Sequence, residues 1–358
     1  MIGRARGLDR TLASFVLLSA LACGRDQPEV GLAPESFPSV FEAVGTVTLQ
    51  EDPSDPMVGL TFLTRRPDGG FAVADELGDK VRLFDAQGRL EATFGGPGDG
   101  PGELDAPTAV VELPDGRVFV TQRATPRLTV YPPGSDPIAL TLPGRYGTWL
   151  HDVGDRLVAG IGSRDDRFAV ISFQADSLAS FGPLQPEVNQ RPFWIYFARE
   201  RAAAWSGGVA TNTSFYPTIR LFDLAGEDIG TIDLSPTGWT PADDPPVDRA
   251  STAGDRDAVR DWSTSFTIVS GLAAVGDDHL VVQYGRFAPT DQDPYRVEAS
   301  SLDVYTLDGD RVAVDLASPQ PILGGGAELL LLGSEPPEPW TIERYRLRGG
   351  PDPDARQR

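Results

Sequence analysis

The sequence predicts an all-β fold, a six-bladed β-propeller with four strands in each blade. One observation is composition: 39 glycines and 32 prolines, with 40% hydrophobic and 9% aromatic residues, indicate many short strands joined by turns. Another is a repeat, in which a short alternating strand ends in an aromatic residue six times. The intervals are 47, 42, 49, 83 and 40 residues, and four of these match the roughly 40–50 residues of a propeller blade. The repeated aromatics are Phe84, Tyr131, Phe173, Phe222, Tyr305 and Tyr345.

Each aromatic strand follows another apolar strand that begins with a turn. Pro-Asp-Gly or Gly-Asp introduces the segments 67–75, 114–122, 154–162 and 276–284, and both are turn sequences. After the aromatic strand comes a further turn and strand, as in DAQGRLEATF at 85–94. One unit is therefore strand, hairpin, strand, loop, strand, hairpin, strand.

The last unit, from about 320 to 347, supplies only three strands. The segment FEAVGTVTL at 41–49 is an alternating strand near the N-terminus, and we expect it to complete the last blade. A ring closed in this way leaves only short, protected strand edges. The propeller is thus predicted over 41–348, followed by a disordered tail at 349–358.

Residues 71–122 resemble the NHL repeat of bacterial six-bladed β-propellers. The resemblance rests on Val-Ala-Asp ending at Asp75, a strand ending in Phe84-Asp85, and Gly-Asp-Gly-Pro-Gly-Glu at 98–103, followed by a leucine and then a proline. It implies the six-bladed fold, and it supports that fold better than any particular activity.

The N-terminus predicts export. Arg4, Arg6 and Arg10 precede the apolar run 12–22, which is too short to span a bilayer and has the order of a signal peptide. The run ends Ser-Ala-Leu-Ala-Cys, which resembles the bacterial lipobox, and Cys23 is the chain's single cysteine. An ordinary signal peptide with a buried cysteine is the alternative, but a sole cysteine in an exported chain has no disulfide partner.

The lipobox resemblance implies a lipoprotein. Residues 1–22 would be the signal peptide, Cys23 the lipidated residue, and 23–40 a flexible tether rich in proline, glycine, serine and glutamate. Gly24 follows the cysteine, with no aspartate that would favour the inner membrane, so the resemblance implies the outer membrane, facing the periplasm. Several acyl chains on one residue would anchor the protein stably, and this would be its only membrane attachment.

The net charge argues against a nucleic acid partner. The chain carries a formal charge of −21 at pH 7, with a pI near 4.4. No arginine-rich block offsets this charge, so a phosphate backbone would be repelled.

The glycine-rich run GGPGDGPG at 95–102 raises the question of a phosphate or calcium site. A P-loop would continue Gly-Lys-Ser or Gly-Lys-Thr, but Gly102 is followed by Glu103. Prolines at 97, 101 and 107 are incompatible with the helix that follows a dinucleotide-binding turn. A calcium-binding nonapeptide would have its aspartate one residue later than Asp99. We therefore interpret the run as the crossover between the first two blades.

Binding is expected on the face of the ring that carries the crossovers and the loops between second and third strands, here called the top face. Two insertions enlarge it at the fifth blade: 235–263, with a short helix near 255–262, and 285–301. Such loops commonly bind ligands, and an arginine-lined mouth would suit an envelope protein, a peptide or a glycan. The alternative is that these arginines pair with neighbouring acids. The candidate binding residues are Arg123, Arg164, Tyr216, Trp239, Trp262, Arg286, Tyr295 and Arg296.

A metal-dependent hydrolase is the rival hypothesis. A lactonase-like propeller holds one divalent cation in its channel with acidic and asparagine side chains, and oxygen ligands suit Ca²⁺ or Mg²⁺. The alternative is that such carboxylates are simply solvated in loops. Only two histidines, His151 and His279, are present; both are expected at the surface, and no Ser-His-Asp arrangement can be assigned. We therefore predict a binding or scaffold module without a cofactor rather than an enzyme. The candidate ligands of the alternative are Glu76, Asp166, Asn212 and Asp291.

Overall fold

The computed structural model describes residues 36–349, apart from 124, 145–146, 162–167, 173–176, 183–199, 235, 237, 244–255, 290–295 and 319. Its strands form six four-stranded antiparallel sheets, which are the six blades of the predicted propeller. Blades I to V each consist of four consecutive strands, and blade VI combines three C-terminal strands with one N-terminal strand. No helix in these ranges is long and apolar enough to cross a membrane.

The elements follow one another in the order that the repeat predicts. A short helix α1 (Phe37–Val40) precedes β1 (Phe41–Thr48), and helix α2 (Arg256–Ser263) lies in the insertion between blades IV and V, where the sequence predicts a helix. Blade I has β2 (Leu60–Arg65), β3 (Phe71–Asp75), β4 (Lys80–Phe84) and β5 (Leu90–Gly95); blade II has β6 (Pro107–Glu112), β7 (Val118–Gln122), β8 (Arg127–Tyr131) and β9 (Ile138–Thr141). Blade III has β10 (Gly147–Val153), β11 (Arg156–Ile161), β12 (Phe168–Ser172) and β13 (Ser177–Phe181); blade IV has β14 (Glu200–Trp205), β15 (Gly208–Thr213), β16 (Thr218–Asp223) and β17 (Asp228–Asp233). Blade V has β18 (Ile268–Val275), β19 (His279–Phe287), β20 (Val297–Thr306) and β21 (Arg311–Ala317); blade VI has β22 (Ile322–Gly324), β23 (Leu329–Ser334), β24 (Thr341–Leu347) and β1.

The repeated aromatic residue marks the third strand of its blade. Phe84 pairs across the sheet with Phe71, and Tyr131 pairs with Val118. All four side chains are buried, because both faces of a blade pack against neighbouring blades. The spacing of the repeated aromatic residues therefore equals the spacing of the blades. One of these residues, Phe173, lies outside the described residues.

The predicted closure by the N-terminal strand is confirmed. Strand β1 pairs antiparallel with β24, from Phe41 opposite Leu347 to Thr48 opposite Thr341, with one register shift at Gly45. It is the outermost strand of blade VI, so the first and last described strands share one sheet. This arrangement removes the exposed edge that β24 would otherwise present.

The six inner strands, β2, β6, β10, β14, β18 and β22, surround a central channel. Each contacts its neighbour around the ring, and β22 of blade VI contacts β2 of blade I, so the ring is closed. Because all six run in the same direction, their ends meet on one face. The turns from first to second strand lie there, and we call it the hairpin face; the top face is opposite.

A buried ion pair holds the entry to blade I in place. The Arg82 guanidinium donates to the Asp75 carboxylate, and both side chains are almost fully buried. Asp75 also accepts hydrogen bonds from the backbone N–H groups of Gly59 (2.9 Å) and Gly78 (3.0 Å), while Arg82 donates to the Asp55 carbonyl (3.1 Å). The aspartate of the Val-Ala-Asp motif thus joins two loops to one blade.

The glycine-rich run is the crossover between blades I and II, as interpreted. It leaves β5 at Gly95 and enters β6 at Pro107, and the Leu104 side chain is fully buried between the two blades. The Gly100 N–H donates to the Glu103 carboxylate (2.7 Å), and Gly98 leaves no room for a side chain beside that carboxylate. Glu103 therefore occupies the concave side of the loop, where a bound anion would sit.

Candidate functional site

A cavity of about 490 Å³ occupies the channel at the hairpin face. Its walls are the second halves of five inner strands and the turns that follow them, in blades I, III, IV, V and VI. The volume is within the range of small-molecule sites, roughly 300–1,000 Å³. The wall segments are Phe62–Arg65, His151–Gly154, Ala202–Ser206, Leu272–Asp277 and Leu323–Ala327, with His279, Arg346 and Leu347 beside them.

Two aromatic rings meet across the channel. The centroids of Phe62 in blade I and His151 in blade III lie 5.7 Å apart, with the ring planes tilted by 59°. Phe62 also packs against apolar residues of blades II, III and IV. Blades I and III are not neighbours in the ring, so this contact lies within the channel itself.

His151 is not the surface residue that the sequence predicts. Strand β10 continues to Val153, so His151 lies inside an inner strand and faces the channel instead of a solvated turn. Its Nε2 atom is buried and has no hydrogen-bond partner among the described residues, and the Trp149 ring lies beside it, with the two ring centroids 5.5 Å apart. Burial lowers the pKa of His151 to about 4, against a hydrogen bond that the imidazole donates to the Ala202 backbone carbonyl and that raises the pKa. The imidazole is therefore neutral at pH 7.

Small residues create the cavity volume. Ala202 and Ala204 on β14 are only partly buried and line the cavity from blade IV. Glycines bring the neighbouring blades close together: a Cβ atom at Gly325 would clash with the Ala274 carbonyl, and one at Gly324 would lie 3.1 Å from the Leu63 carbonyl. The backbones of blades I, V and VI can therefore approach one another around the cavity.

Two arginines carry positive charge to the cavity. Arg65 and Arg346 form no ion pair with any described residue, and the Arg65 guanidinium lies 4.8 Å from the centroid of the Phe71 ring. Arg65 Nη1 and Arg346 Nε are buried and have no hydrogen-bond partner in the part of the chain that the structure describes. Burial and the nearby Arg344 lower the pKa of Arg65, while the carboxylates of Glu328 and Asp68 raise it. Arg344 itself is neutralised by Glu328, through two hydrogen bonds of 2.7 and 2.8 Å.

Two carboxylates line other parts of the same wall. Asp152 in blade III is exposed to solvent where it lines the cavity. Desolvation by the surrounding protein raises the pKa of its carboxyl group. Asp277 in blade V accepts a long hydrogen bond from the Ser206 N–H (3.4 Å). The cations thus belong to the adjacent blades I and VI, and the anions to blades III and V.

The candidate residues Arg123 and Tyr216 lie on the top face and take part in contacts within the propeller. Arg123 forms a two-point ion pair with Glu76, at 2.6 and 2.8 Å, across the boundary between blades I and II. The Tyr216 carbonyl accepts a hydrogen bond from the Asn212 side chain (2.8 Å). The alternative that acids neutralise these arginines therefore holds for Arg123, whose partner lies 47 residues away.

The insertion of blade V brings Trp239, Trp262 and Arg286 onto the same region of the top face. Trp262 is buried, and its Nε1 donates to the Asp243 carbonyl (2.9 Å). Trp239 packs edge-on against Tyr284, and Arg286 donates to Thr240 (3.2 Å). These side chains hold the insertion against the blade. Of the other candidate binding residues, Arg296 is exposed and lies 3.9 Å from Glu298. Arg164 and Tyr295 lie outside the described residues, as does Cys23, the predicted lipidation site.

The two candidate metal ligands that the structure describes, Glu76 and Asn212, make contacts within the propeller. Glu76 is already neutralised by Arg123. The Asn212 amide nitrogen donates to the Tyr216 and Thr218 carbonyls, while Asn212 Oδ1 is buried with no hydrogen-bond partner among the described residues. Glu76 belongs to blade I and Asn212 to blade IV, and these blades are not neighbours in the ring. Asp166 and Asp291 lie outside the described residues. Among the residues that are described, no three or more histidine, cysteine, aspartate or glutamate side chains form a group that could hold a metal ion.

Comparisons with known proteins support the fold alone. No family model matches the sequence, and a comparison with curated proteins gives no match. A crystal structure named "Putative exported protein" from Bacteroides fragilis aligns over 88% of this chain and 98% of its own, with a TM-score of 0.58 and 13% identity. A member of the DUF4221 family from Bacteroides vulgatus aligns over 87% and 98%, with a TM-score of 0.57 and 11% identity. At these identities the likeness shows the shared propeller fold.

Proposed function

We propose that this protein is an exported, lipid-anchored binding module of the cell envelope, and that it holds a small ligand in the cavity at its hairpin face. The observation that carries the proposal is the cavity itself. It is lined by five blades, opens to solvent, has small apolar side chains in its walls and carries a few charged side chains, which is the composition of a ligand site.

The placement in the envelope rests on the N-terminal sequence. Residues 1–22 have the order of a signal peptide, Cys23 follows a lipobox-like segment, and 23–40 has the composition of a tether. The exported-protein name of the Bacteroides fragilis neighbour agrees with this placement. We further propose the periplasmic side of the outer membrane as its location.

A binding role fits the side chains better than metal-dependent hydrolysis does. Glu76 and Asn212, which the hydrolase hypothesis needs as ligands, are engaged in contacts within the propeller. The top-face arginines and tryptophans that we first expected to bind a partner are largely engaged as well. Arg65 and Arg346 at the hairpin face each have a buried guanidinium nitrogen with no hydrogen-bond partner among the described residues, which favours the cavity as the site.

The test uses a substitution that fills the cavity with a larger side chain. In Ala204→Phe, a large ring would occupy the space beside the partly exposed Ala204; Leu77→Phe is the matched control, since Leu77 is 72% exposed on the top face. We expect a library of small polar metabolites to contain compounds that raise the melting temperature of the wild type and of Leu77→Phe, but not of Ala204→Phe. A ligand at 100 times its Kd stabilises a protein by about 2.7 kcal/mol, which is readily measured.

Two outcomes would contradict the proposal. One is that the stabilising compounds act equally on Ala204→Phe; the other is that no compound of the library stabilises the wild type. Ala202→Leu serves as a milder filling variant if Ala204→Phe does not fold, because Ala202 lies two residues earlier on the same strand.

A further inference from the structure

The charged groups of the cavity wall balance one another. Arg65 and Arg346 contribute two formal positive charges, and Asp152 and Asp277 contribute two formal negative charges. His151 adds no charge at pH 7, because its imidazole is neutral. A ligand with a net charge would have to leave water without an uncompensated counter-charge to meet it, whereas a neutral ligand keeps the balance.

Several of these charged groups already interact with other groups of the protein. The carboxylates of Glu328 and Asp68 act on Arg65 and raise its pKa. Asp277 accepts a backbone hydrogen bond (3.4 Å), and the His279 imidazole of the same hairpin also lines the cavity. The wall therefore offers charged hydrogen-bond donors and acceptors, but it does not require an ion from the ligand.

An aromatic ring lies at the hairpin end of the blade IV wall. Trp205 is the last residue of β14, and it lines the cavity with an indole that is only partly buried. The turn after it leaves space for this ring: a Cβ atom at Gly207 would lie 2.9 Å from Trp205 Nε1, and one at Gly208 would lie 2.9 Å from Trp205 Cζ2. The indole thus lies against the backbone of the turn and is held in place before a ligand binds.

An aromatic ring beside balanced charged groups suits the two chemical sides of a sugar. The faces of a pyranose ring carry C–H groups, which pack against the negative face of an aromatic ring. Each hydroxyl group both donates and accepts, so one uncharged ligand can donate to Asp152 and accept from Arg346. Hydrogen bonds to ionised groups are stronger than those between neutral groups, so this wall can compete with water for the hydroxyl groups.

We infer that the ligand is a neutral mono- or disaccharide, with one face of a sugar ring on the Trp205 indole and its hydroxyl groups on Asp152 and Arg346. The inference rests on the proposed function, since it uses the same cavity, and it gives that function a ligand class. The cavity volume of about 490 Å³ lies in the range of sites for molecules of this size.

The experiment compares neutral sugars with their charged counterparts. Isothermal titration of the mature protein uses glucose, galactose, N-acetylglucosamine, maltose, lactose and cellobiose, with glucuronate, galacturonate and glucosamine as the charged probes. We expect at least one neutral sugar to bind, and the charged counterpart of its ring to bind more weakly by about tenfold or more. The affinity for the neutral sugar should be the same at low and at high salt, because no net charge is screened.

Two results of this titration would overturn the inference. One is that no neutral sugar of the panel binds. The other is that a charged counterpart binds more tightly, or that the affinity falls as the salt concentration rises, since either indicates an ionic ligand. Library compounds that stabilise the wild type but not Ala204→Phe, together with no binding of any neutral sugar, would refute the sugar and leave the proposed function standing.

Substitutions test the position of the sugar. Trp205→Leu should weaken binding by about tenfold or more, and Trp205→Phe, which keeps an aromatic ring, should retain part of the affinity. Trp239→Leu is the matched control on the top face. Asp152→Asn should also weaken binding, with Asp155→Asn as its control, since the Asp155 side chain is 89% exposed and outside the cavity wall. Equal affinities of Trp205→Leu and Trp239→Leu would overturn the inference; if Trp205→Leu does not fold, the panel and the salt series test it without a substitution.

Discussion

The Phe62 ring contacts the His151 imidazole at 5.7 Å although the two residues belong to blades that are not neighbours. The contact places an aromatic pair in the middle of the channel and bounds the cavity on its inner side. It also keeps water from the imidazole, whose Nε2 is buried. The packing of the channel and the protonation of His151 are therefore linked.

Phe62→Ala should raise the pKa of His151. Removing the ring lets water reach the imidazole, so the pKa should move from about 4 toward the ordinary value near 6.5. The chain has two histidines, so an NMR titration resolves His151 against His279, which lies beside Asp278 and serves as the internal reference. An unchanged His151 pKa in a folded variant would show that Phe62 does not shield it; Phe62→Leu is the milder second variant.

Acid should destabilise the protein through His151. The folded-state pKa lies below the unfolded value, so the stability that this group contributes is fully present above about pH 6.5 and is lost as the pH falls toward 4. The loss attributable to His151 is about 3 kcal/mol over that window. Urea denaturation of wild type and His151→Phe at pH 7 and pH 4.5 measures the difference, since carboxylates contribute equally to both. Parallel pH profiles for the two proteins would contradict the assignment.

Arg82→Met should destabilise blade I strongly. The substitution leaves the Asp75 carboxylate buried without its cation, and losing one partner of a buried pair costs about 3–5 kcal/mol. Arg89→Gln breaks an exposed ion pair with Asp85 and should cost less than about 1 kcal/mol. The free energy of unfolding in urea is the measurement. A loss as small as that of Arg89→Gln would mean that the Asp75 hydrogen bonds to backbone N–H groups suffice without Arg82.

The blades could be predicted from sequence because each repeats a local pattern. The aromatic at the end of the third strand recurs in six units, and the Pro-Asp-Gly or Gly-Asp turn before the second strand recurs in four. The strand count of the last unit required β1. Asp75 was visible as a motif residue, but its partner Arg82 was not, because an arginine inside a strand gives no local sign of burial.

The cavity could not be predicted in the same way. Its wall joins segments of five blades, and a contact such as Phe62 to His151 depends on how the ring closes. His151 precedes a turn, which in an outer strand would mean exposure to solvent; at the end of an inner strand it means the channel. Likewise Arg123 lies 47 residues from Glu76, so its pairing had no local signal.

Deletion of residues 41–49 should destabilise or open the ring. The segment contains β1, whose removal exposes the edge of β24 and the buried Leu347, which Phe41 faces across the sheet. A control deletion of residues 24–35 keeps β1 and removes only predicted tether. Thermal unfolding should show a lower or broader transition for the first deletion and no change for the second. Equal melting temperatures would show that β1 is dispensable for closure.

Cys23→Ser should release the protein from membranes. If Cys23 carries the lipid, its loss removes the anchor while the apolar run 12–22 still directs export, so the protein should move from the membrane pellet to the periplasmic fraction. Fractionation after expression of the full chain measures this, and incorporation of labelled palmitate into the wild type but not into the variant tests the acylation itself. Cys23→Ser protein that still pellets with membranes would refute the lipid anchor and leave the cavity as an independent proposal, since none of its wall residues lies before residue 62.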